Sequence, residues 1–222
     1  LNQKLDGLLF TGSHATGLRI AQALAPKLVK LQLELGGKDP TYVRADADVK
    51  AAAESLADGA MYNTGQSCCS VERIYVHESL HDAFVEHFVA TVKGFKFGDP
   101  MDAATYIGAI TRAPQLAVLA AQVADALAKG ATLHVGGQRL PAPGNWFAPT
   151  VFTNVNHTME LMREESFGPI IGIQKVRGDD EAVALMNDTR YGLTAGVYTK
   201  DEAKAQQLLS RVNAGSVYWN CC

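Results

Sequence analysis

The 222-residue sequence lacks the features that mark several large classes of protein. It has no uninterrupted apolar run of about eighteen residues, so we predict no membrane partner. Its 20 Lys and Arg residues are outnumbered by 23 Asp and Glu residues, which gives a net charge of −3. Proteins that bind nucleic acid usually present an excess of basic side chains, so we also predict no nucleic-acid partner.

Cysteine is scarce, and its four residues occur only as two adjacent pairs, Cys68–Cys69 and Cys221–Cys222. Neighbouring cysteines make a poor disulfide framework, and they lack the C-x-x-C spacing of many zinc sites. We therefore predict a reducing, cytoplasmic location and no metal site.

What the sequence does contain is the composition of an ordinary folded protein, with 47% hydrophobic residues. A chain of this length can form one large domain or two small ones. Helical and strand patterns alternate along it, which predicts the α/β class. The expected fold is an open, mainly parallel, twisted sheet with helices on both faces.

The first candidate site is the stretch Gly-Gln-Ser-Cys-Cys at 65–69. A helical pattern over 49–61 precedes it and a strand pattern over 73–76 follows it, so Cys68 is predicted to lie in a short turn. Backbone N–H groups in such a turn can point at an oxyanion. A cysteine there is a nucleophile if its pKa is lowered or a base lies nearby. The alternative is that Cys68 and Cys69 are small buried hydrophobic residues.

A second candidate site lies near the start of the chain. A strand pattern at 8–10 runs into Gly12 and Ser13, and a helical pattern follows from residue 14 to about residue 30. A phosphate can bind at the N-terminus of such a helix. The alternative is a plain helix that is capped by Ser13 or Thr11.

A strand pattern at 31–35 follows, and it brings Glu34 to a strand end beside Gly36 and Gly37. A carboxylate in that position is well placed to act as a general base. The alternative for Glu34 is a solvated side chain on an edge strand.

A third candidate site is Glu-Glu-Ser-Phe-Gly-Pro at 164–169, which precedes a strand pattern at 170–173. The Gly-Pro pair indicates a turn before that strand. By spacing alone, Glu164 and Glu165 are a solvated acidic pair.

Together these stretches resemble the aldehyde dehydrogenase superfamily. The resemblance rests on Phe-Thr-Gly-Ser at 10–13, Glu-Leu-Gly-Gly-Lys at 34–38 and Gly-Gln-Ser-Cys at 65–68. They stand in the family's order, with its spacing of thirty-four positions between the glutamate and the cysteine. The resemblance implies that Cys68 is the nucleophile, that Cys69 is its non-catalytic neighbour and that Glu34 is the general base.

The resemblance also implies NAD or NADP as the cofactor. The residues that would bind it are Gly12, Ser13, Leu35, Gly36, Glu165 and Phe167. In the family, the second glutamate of the Glu-Glu-x-Phe-Gly-Pro motif binds the nicotinamide ribose, and the phenylalanine packs beside the nicotinamide. These two roles would fall to Glu165 and Phe167.

The implied reaction is the NAD(P)-dependent oxidation of a small-molecule aldehyde to a carboxylic acid, through a cysteine thiohemiacetal and thioester. Two alternatives stay open: a coenzyme A-acylating or other semialdehyde dehydrogenase, and a non-catalytic structural or binding member of the same fold. The presence of both Cys68 and Glu34 argues against a non-catalytic member. Glu34 also favours hydrolysis, because acyl transfer to a thiol does not need that base.

Members of the superfamily are much longer than this chain, so the resemblance implies a fragment. Residues 1–35 would be a remnant of the NAD(P)-binding domain, and residues 36–222 would be the catalytic domain. We expect the parent protein to be a homo-oligomer, and we expect this chain alone to bind the cofactor poorly. An inactive fragment is the alternative to an active one.

Overall fold

The computed structural model describes residues 1–141 and 143–222. In these residues the α-helices are α1 (His14–Leu24), α2 (Val49–Met61), α3 (His81–Gly94), α4 (Gln115–Ala128), α5 (Asp179–Asn187) and α6 (Glu202–Leu209). The strands are β1 (Gly7–Thr11), β2 (Lys30–Glu34), β3 (Asp39–Val43), β4 (Val71–His77), β5 (Thr132–Val135), β6 (Thr150–Thr153), β7 (Ile170–Val176), β8 (Thr194–Tyr198) and β9 (Ser216–Trp219). Short 3-10 helices cover Ala25–Lys27, Tyr62–Gly65 and Glu160–Met162.

Seven of these strands form one sheet in the order β5-β6-β7-β4-β3-β8-β9. Every neighbouring pair in it is parallel except β5 and β6, which form an antiparallel edge. The prediction of an α/β fold with a mainly parallel sheet is therefore confirmed.

Helices pack on both faces of this sheet because successive strand residues point to opposite sides. On β3, Tyr42 belongs to an apolar cluster that includes Leu119 of α4 and Met186 of α5. The next residue, Val43, belongs to a second cluster that includes Phe84 of α3. Both clusters are buried, so the sheet lies between two layers of helices, as the sequence predicts.

The first two strands form a separate parallel sheet, and α1 connects them. Thr11 lies opposite Glu34 where these strands end. The chain then passes into the seven-stranded sheet, which it enters at Asp39. The division of the chain into domains at residue 35 stays a prediction.

Strand β3 is a central strand that no pattern in the sequence predicts. It contains Pro40, and proline is rare in central strands because it has no N–H to donate to a neighbour. The structure accommodates it at an irregularity in the pairing, where Asp39 lies opposite Val71 and Pro40 lies opposite Arg73. The proline therefore stands where the regular hydrogen-bonding ladder is already interrupted.

The parallel pairing of β3, β4 and β7 brings three motif segments to one edge of the sheet. Residues 34–38 precede β3, the turn at 65–70 precedes β4 and the loop at 164–169 precedes β7. The pairing of Asp39 with Val71 and of Arg73 with Gly172 keeps the amino ends of these strands adjacent.

The turn that leads to Cys68 has an uncommon backbone conformation. Asn63, Thr64 and Gly65 have φ angles of 49°, 61° and 67°. These angles suit glycine but are rare for a β-branched residue such as Thr64. The Thr64 hydroxyl stabilises the turn through two hydrogen bonds. It accepts the Gly108 N–H at 2.9 Å and donates its own hydrogen to the Gly108 carbonyl oxygen at 3.3 Å.

We predict that Gly65→Ala destabilises the protein by about 1–3 kcal/mol or more, because a side chain there adds strain at a left-handed backbone. A Cβ at this position would also lie 2.3 Å from the carbonyl oxygen of Gly168. The free energy of unfolding in urea measures the loss. Gly94→Ala in α3 is the matched control, since a Cβ there would meet nothing within 4 Å. Equal effects of the two substitutions would contradict this account of the turn.

Candidate active site

Gly37 is the point where the three motif segments meet. A Cβ on Gly37 would lie 2.9 Å from the carbonyl oxygen of Cys68, so the two backbones are in close contact. The N–H of Gly37 donates to Oε1 of Glu165 at 3.2 Å. The fold thus brings the segments that contain Cys68, Gly36 and Glu165 together, although they lie far apart in the sequence.

The carboxylate of Glu165 lies directly over Gly36. A Cβ on Gly36 would lie 2.0 Å from one carboxylate oxygen and 2.2 Å from the other, so a side chain at residue 36 would displace this carboxylate. Burial raises the pKa of Glu165 to about 7; the charge of Glu72 adds to this effect and the Gly37 N–H opposes it. No donor among the described residues bonds to Oε2 of Glu165.

The thiol of Cys68 is exposed. Partial burial raises the pKa of Cys68, and the neighbouring Cys69 adds to that effect. Of the two conditions for a nucleophilic cysteine, a lowered pKa or a nearby base, the first is therefore not met at Cys68 by the residues of this chain. Within the described residues, the Cys68 N–H donates to no backbone or side-chain oxygen.

The adjacent thiol has the more favourable surroundings for ionisation. The Ser67 hydroxyl lies 3.3 Å from Sγ of Cys69, and the Tyr62 hydroxyl lies 3.4 Å from the same atom. Hydrogen bonds from Ser67 and then from Tyr62 lower the pKa of Cys69. The resemblance implies only a non-catalytic neighbour at Cys69, because a pattern of residue types cannot show which hydroxyls reach a thiol.

Glu34, the predicted general base, lies at the end of β2 with an exposed side chain. Its carboxylate accepts a hydrogen bond from the Gln32 side chain at 3.0 Å. Within the described residues, no hydrogen bond joins Glu34 to Cys68. The structure therefore leaves this predicted pair without a direct contact.

The predicted phosphate site lies at the beginning of α1. Ser13 is the N-cap, and its hydroxyl accepts the N–H of Thr16 at 3.4 Å. The N–H of Gly12 donates to the Glu34 carbonyl at 3.0 Å, which links this turn to the end of β2. Leu35 packs on the same helix, because a Cβ on Gly17 would lie 2.6 Å from the Leu35 side chain.

Phe167 is 37% exposed, an uncommon exposure for a large aromatic side chain. Its φ of 46° is left-handed, and its N–H donates to Oε1 of Glu72 at 3.0 Å. The aromatic ring is therefore accessible, while its backbone is anchored to β4.

Beneath the three motif segments lies a buried ion pair that no motif in the sequence predicts. Nζ of Lys38 lies 2.5 Å from Oε2 of Glu72, and Lys38 is 0% exposed. Lys38 also donates to the Ser166 hydroxyl at 3.0 Å, and that hydroxyl donates to Oε1 of Gln122 at 2.8 Å. Burial lowers the pKa of Lys38, although the charge of Glu72 opposes that shift. One feature of the sequence indicates such a pair: Glu72 and Arg73 are charged residues at the start of an otherwise apolar strand.

Asp39 is a second buried carboxylate beside the Cys68 turn, and it is 3% exposed. Its Oδ2 accepts the Thr194 hydroxyl at 2.6 Å, and its Oδ1 would lie 2.4 Å from a Cβ on Gly37. Burial raises the pKa of Asp39 to about 7, and the Thr194 hydrogen bond opposes the shift. Its negative charge also raises the pKa of Cys68.

The part of the chain that the structure describes lacks two other kinds of feature. It contains no group of three or more His, Cys, Asp or Glu side chains that could hold a metal ion. None of its helices is both long enough and apolar enough to cross a bilayer.

Comparison with known proteins identifies the family. The profile described as "Aldehyde dehydrogenase family" matches residues 1–222. The chain belongs to this family. The resemblance that rests on residues 10–13, 34–38 and 65–68 is thereby confirmed.

Curated relatives share more than a third of the sequence. The chain is 39% identical over 216 residues to the NADP(+) succinate-semialdehyde dehydrogenase of Deinococcus radiodurans, covering 97% of this chain and 45% of that protein. It is 37% identical over 219 residues to the NAD(P)+ succinate semialdehyde dehydrogenase of Escherichia coli, covering 99% of this chain and 47% of that protein. The chain therefore spans about half the length of these relatives.

Solved structures of the family have the same fold. The NAD-dependent aldehyde dehydrogenase of Sinorhizobium meliloti matches with a TM-score of 0.95 and 38% identity, over 98% of this chain and 43% of that one. Betaine aldehyde dehydrogenase of Staphylococcus aureus, in complex with NAD+, matches with a TM-score of 0.94 and 34% identity, over 98% of this chain and 45% of that one.

We predict that Cys69 is alkylated by iodoacetamide at a lower pH than Cys68, because Ser67 and Tyr62 stabilise its thiolate. Mass spectrometry of the labelled peptides at a series of pH values gives the apparent pKa of each thiol. Tyr62→Phe should raise the apparent pKa of Cys69, whereas Tyr218→Phe on the exposed strand β9 should leave it unchanged. Faster labelling of Cys68 at low pH would contradict these assigned contacts.

We also predict that Asp39 causes a loss of stability as the pH rises from about 4 to about 7. The folded state keeps a proton on Asp39 between the ordinary pKa of 3.8 and about 7, whereas the unfolded chain has released it. Glu165 acts in the same direction.

Urea denaturation at pH values below and above this range tests the prediction. Asp39→Asn should reduce the loss by about 1–3 kcal/mol. Asp6→Asn at an exposed position is the control and should leave it unchanged. A loss of the same size in Asp39→Asn as in the unsubstituted chain would contradict the assignment.

Proposed function

We propose that this chain carries the catalytic thiol and the nicotinamide-ribose contacts of an NAD(P)-dependent dehydrogenase that oxidises aldehydes to carboxylic acids. The observation that supports this most is the meeting of three motif segments at Gly37, which touches both the Cys68 turn and Glu165. Cys68, Glu34, Gly12, Ser13, Leu35, Gly36, Glu165 and Phe167 are the residues to which we assign roles.

Cys68 would attack the aldehyde carbon and form a thiohemiacetal. The Cys68 N–H, which has no acceptor among the described residues, can then hold the oxyanion. Bound nicotinamide supplies the hydride acceptor in this chemistry. Loss of hydride leaves a thioester on Cys68, and water releases the carboxylic acid from it, so that one aldehyde, one NAD(P)+ and one water give one acid, one NAD(P)H and one proton.

The raised pKa of Cys68 is compatible with this role. A thiolate of higher pKa is intrinsically the stronger nucleophile once a base has removed its proton. Cys69 ionises more easily, but its sulfur is engaged by Ser67 and Tyr62, and these hydrogen bonds lower its nucleophilicity. The proposal therefore needs a base for Cys68, and Glu34 is the base that we assign.

Glu34 would act through water, because no direct contact with Cys68 joins the two side chains within the described residues. Its carboxylate is exposed and can exchange protons with solvent molecules. The same group would then activate the water that hydrolyses the thioester. Hydrolysis distinguishes this proposal from transfer of the acyl group to coenzyme A, which needs no such base.

The residues around Glu165 fit a nicotinamide riboside. One carboxylate oxygen takes the Gly37 N–H, and the other is available to accept a ribose hydroxyl. Any side chain at residue 36 would fill the space that Glu165 occupies. The exposed ring of Phe167 can pack against the nicotinamide.

The residues at the beginning of α1 fit a phosphate, because the N–H groups of His14 and Ala15, which follow the N-cap Ser13, have no acceptor among the described residues. We propose NAD or NADP as the cofactor without choosing between them. The relatives act on succinate semialdehyde and betaine aldehyde by name, so we propose an aldehyde substrate and no narrower class. A reducing, cytoplasmic location suits four cysteines that are all free, and a homo-oligomeric parent protein remains part of the proposal.

Trapping of the acyl group tests this function. The chain is incubated with propanal and a high concentration of NAD+ or NADP+, and the mass of each cysteine peptide and the amount of NAD(P)H are measured. We expect a propionyl adduct on Cys68, and we expect Cys68→Ser to lower NAD(P)H formation by at least about 10³-fold. Glu34→Gln should slow both the formation of the adduct and its hydrolysis, and so lower NAD(P)H formation by about 10²–10⁴-fold, because Glu34 is the base in both steps.

Cys69→Ser is the matched control, and it should keep both the adduct and NAD(P)H formation. An adduct on Cys69, or NAD(P)H formation by Cys68→Ser at the unsubstituted rate, would refute the assignment of the nucleophile. Absence of NAD(P)H from the unsubstituted chain at saturating cofactor would refute dehydrogenase activity in this chain.

A further inference from the structure

The ion pair between Lys38 and Glu72 joins all three motif segments. Lys38 ends the Glu-Leu-Gly-Gly-Lys segment, and Glu72 follows the Cys68 turn at the start of β4. Ser166, between Glu165 and Phe167, receives a hydrogen bond from Lys38 at 3.0 Å and donates its N–H to Oε2 of Glu72 at 2.8 Å. One buried centre therefore contacts every segment to which the proposed function assigns chemistry at this edge.

Both carboxylate oxygens of Glu72 accept hydrogen bonds from the loop that precedes β7. Oε1 accepts the N–H of Phe167 at 3.0 Å and the N–H of Ser166 at 3.1 Å, while Oε2 accepts the Ser166 N–H and the Lys38 ammonium. The loop lies 94 residues further along the chain, so these bonds fix tertiary structure rather than a local turn.

A neutral residue could not replace this carboxylate. Three donors converge on it, and one of them is a fully buried ammonium group that needs an opposite charge. Phe167 has a left-handed backbone, so the loop adopts its conformation only where surrounding contacts hold it. The two N–H bonds to Glu72 are contacts of that kind.

The hydrogen bonds that Glu72 accepts also fix the position of Glu165. Its backbone is continuous with Ser166, and its carboxylate contacts Gly36 and the Gly37 N–H. Gln122 secures the same stretch from the other side, since its amide lies 3.3 Å from the Glu165 carbonyl oxygen. The position of the ribose-binding carboxylate is thus set by the backbone that Glu72 holds.

We propose that Glu72 is a positioning residue that fixes the 165–167 loop so that the Glu165 carboxylate lies over Gly36 and Gly37, where a nicotinamide ribose binds. The ribose part of this inference rests on the proposed function. The effect on the loop does not, and it can be measured without any cofactor.

Hydrogen exchange of individual amides in the 222-residue chain, followed by NMR, tests the positioning role. In Glu72→Gln, the amides of Ser166, Phe167 and Gly37 should exchange at least about tenfold faster, because hydrogen bonds to a charged acceptor are lost or weakened. The amides of the β3 and β4 interior should change much less. Glu78→Gln is the matched control, since Glu78 is exposed just after β4.

A second measurement on the same samples is a titration with nicotinamide mononucleotide. We expect its binding to perturb the resonances of Gly36, Gly37 and Phe167 in the unsubstituted chain, and Glu72→Gln should weaken that binding by at least about tenfold. If the unsubstituted chain shows no perturbation there, the ribose role of Glu165 fails, and the exchange data still decide the positioning role.

The inference is overturned if Ser166, Phe167 and Gly37 exchange in Glu72→Gln as they do in Glu78→Gln. It is also overturned if all amides of the sheet accelerate equally, because the pair would then serve global stability alone. Should Glu72→Gln fail to fold, Lys38→Met/Glu72→Gln removes the unpaired ammonium and is measured in its place. Retained protection at Ser166 and Phe167 in that variant would again overturn the inference.

Discussion

The structure at the candidate site depends on one buried ion pair. An ammonium group that is fully removed from water is tolerated only with an opposite charge and with its remaining donors bonded, and Lys38 has Glu72 and the Ser166 hydroxyl for these purposes. Loss of one partner from such a pair typically destabilises a protein by about 3–5 kcal/mol. Lys38 lies before β3, Glu72 lies in β4 and Ser166 lies before β7. The interactions that stabilise the buried charges therefore also hold these three segments together.

The topology explains why those segments can meet. Ligand sites of open α/β sheets usually lie beyond the carboxyl ends of the strands, whereas here the three motifs precede the parallel strands β3, β4 and β7. Adjacent amino ends place the Gly36–Gly37 turn between the Cys68 turn and the Glu165 carboxylate. Glycine at both positions leaves room for this arrangement, because a side chain at either one would displace a neighbouring carboxylate oxygen.

Much of this arrangement could be predicted from the sequence, and what could not has physical reasons. Local periodicity predicted α2 with its observed bounds, and it predicted the turn that holds Cys68. It did not predict β3, because proline is rare in central strands and Pro40 is accommodated at an irregularity in the pairing. It missed the Lys38–Glu72–Ser166 contacts because their partners lie 34 to 128 residues apart. The pKa of Cys68 and Cys69 depends on which hydroxyls reach each sulfur, and residue order does not encode that distance.

The central claim is that the fold of this chain alone assembles one site from Cys68, the Gly36–Gly37 turn and Glu165. A crystal structure of the chain soaked with nicotinamide mononucleotide tests it most directly. The account predicts density with the ribose hydroxyls at the Glu165 carboxylate and the nicotinamide ring between Phe167 and the Cys68 thiol. A mononucleotide bound elsewhere, with Glu165 turned away from Gly36, would contradict it.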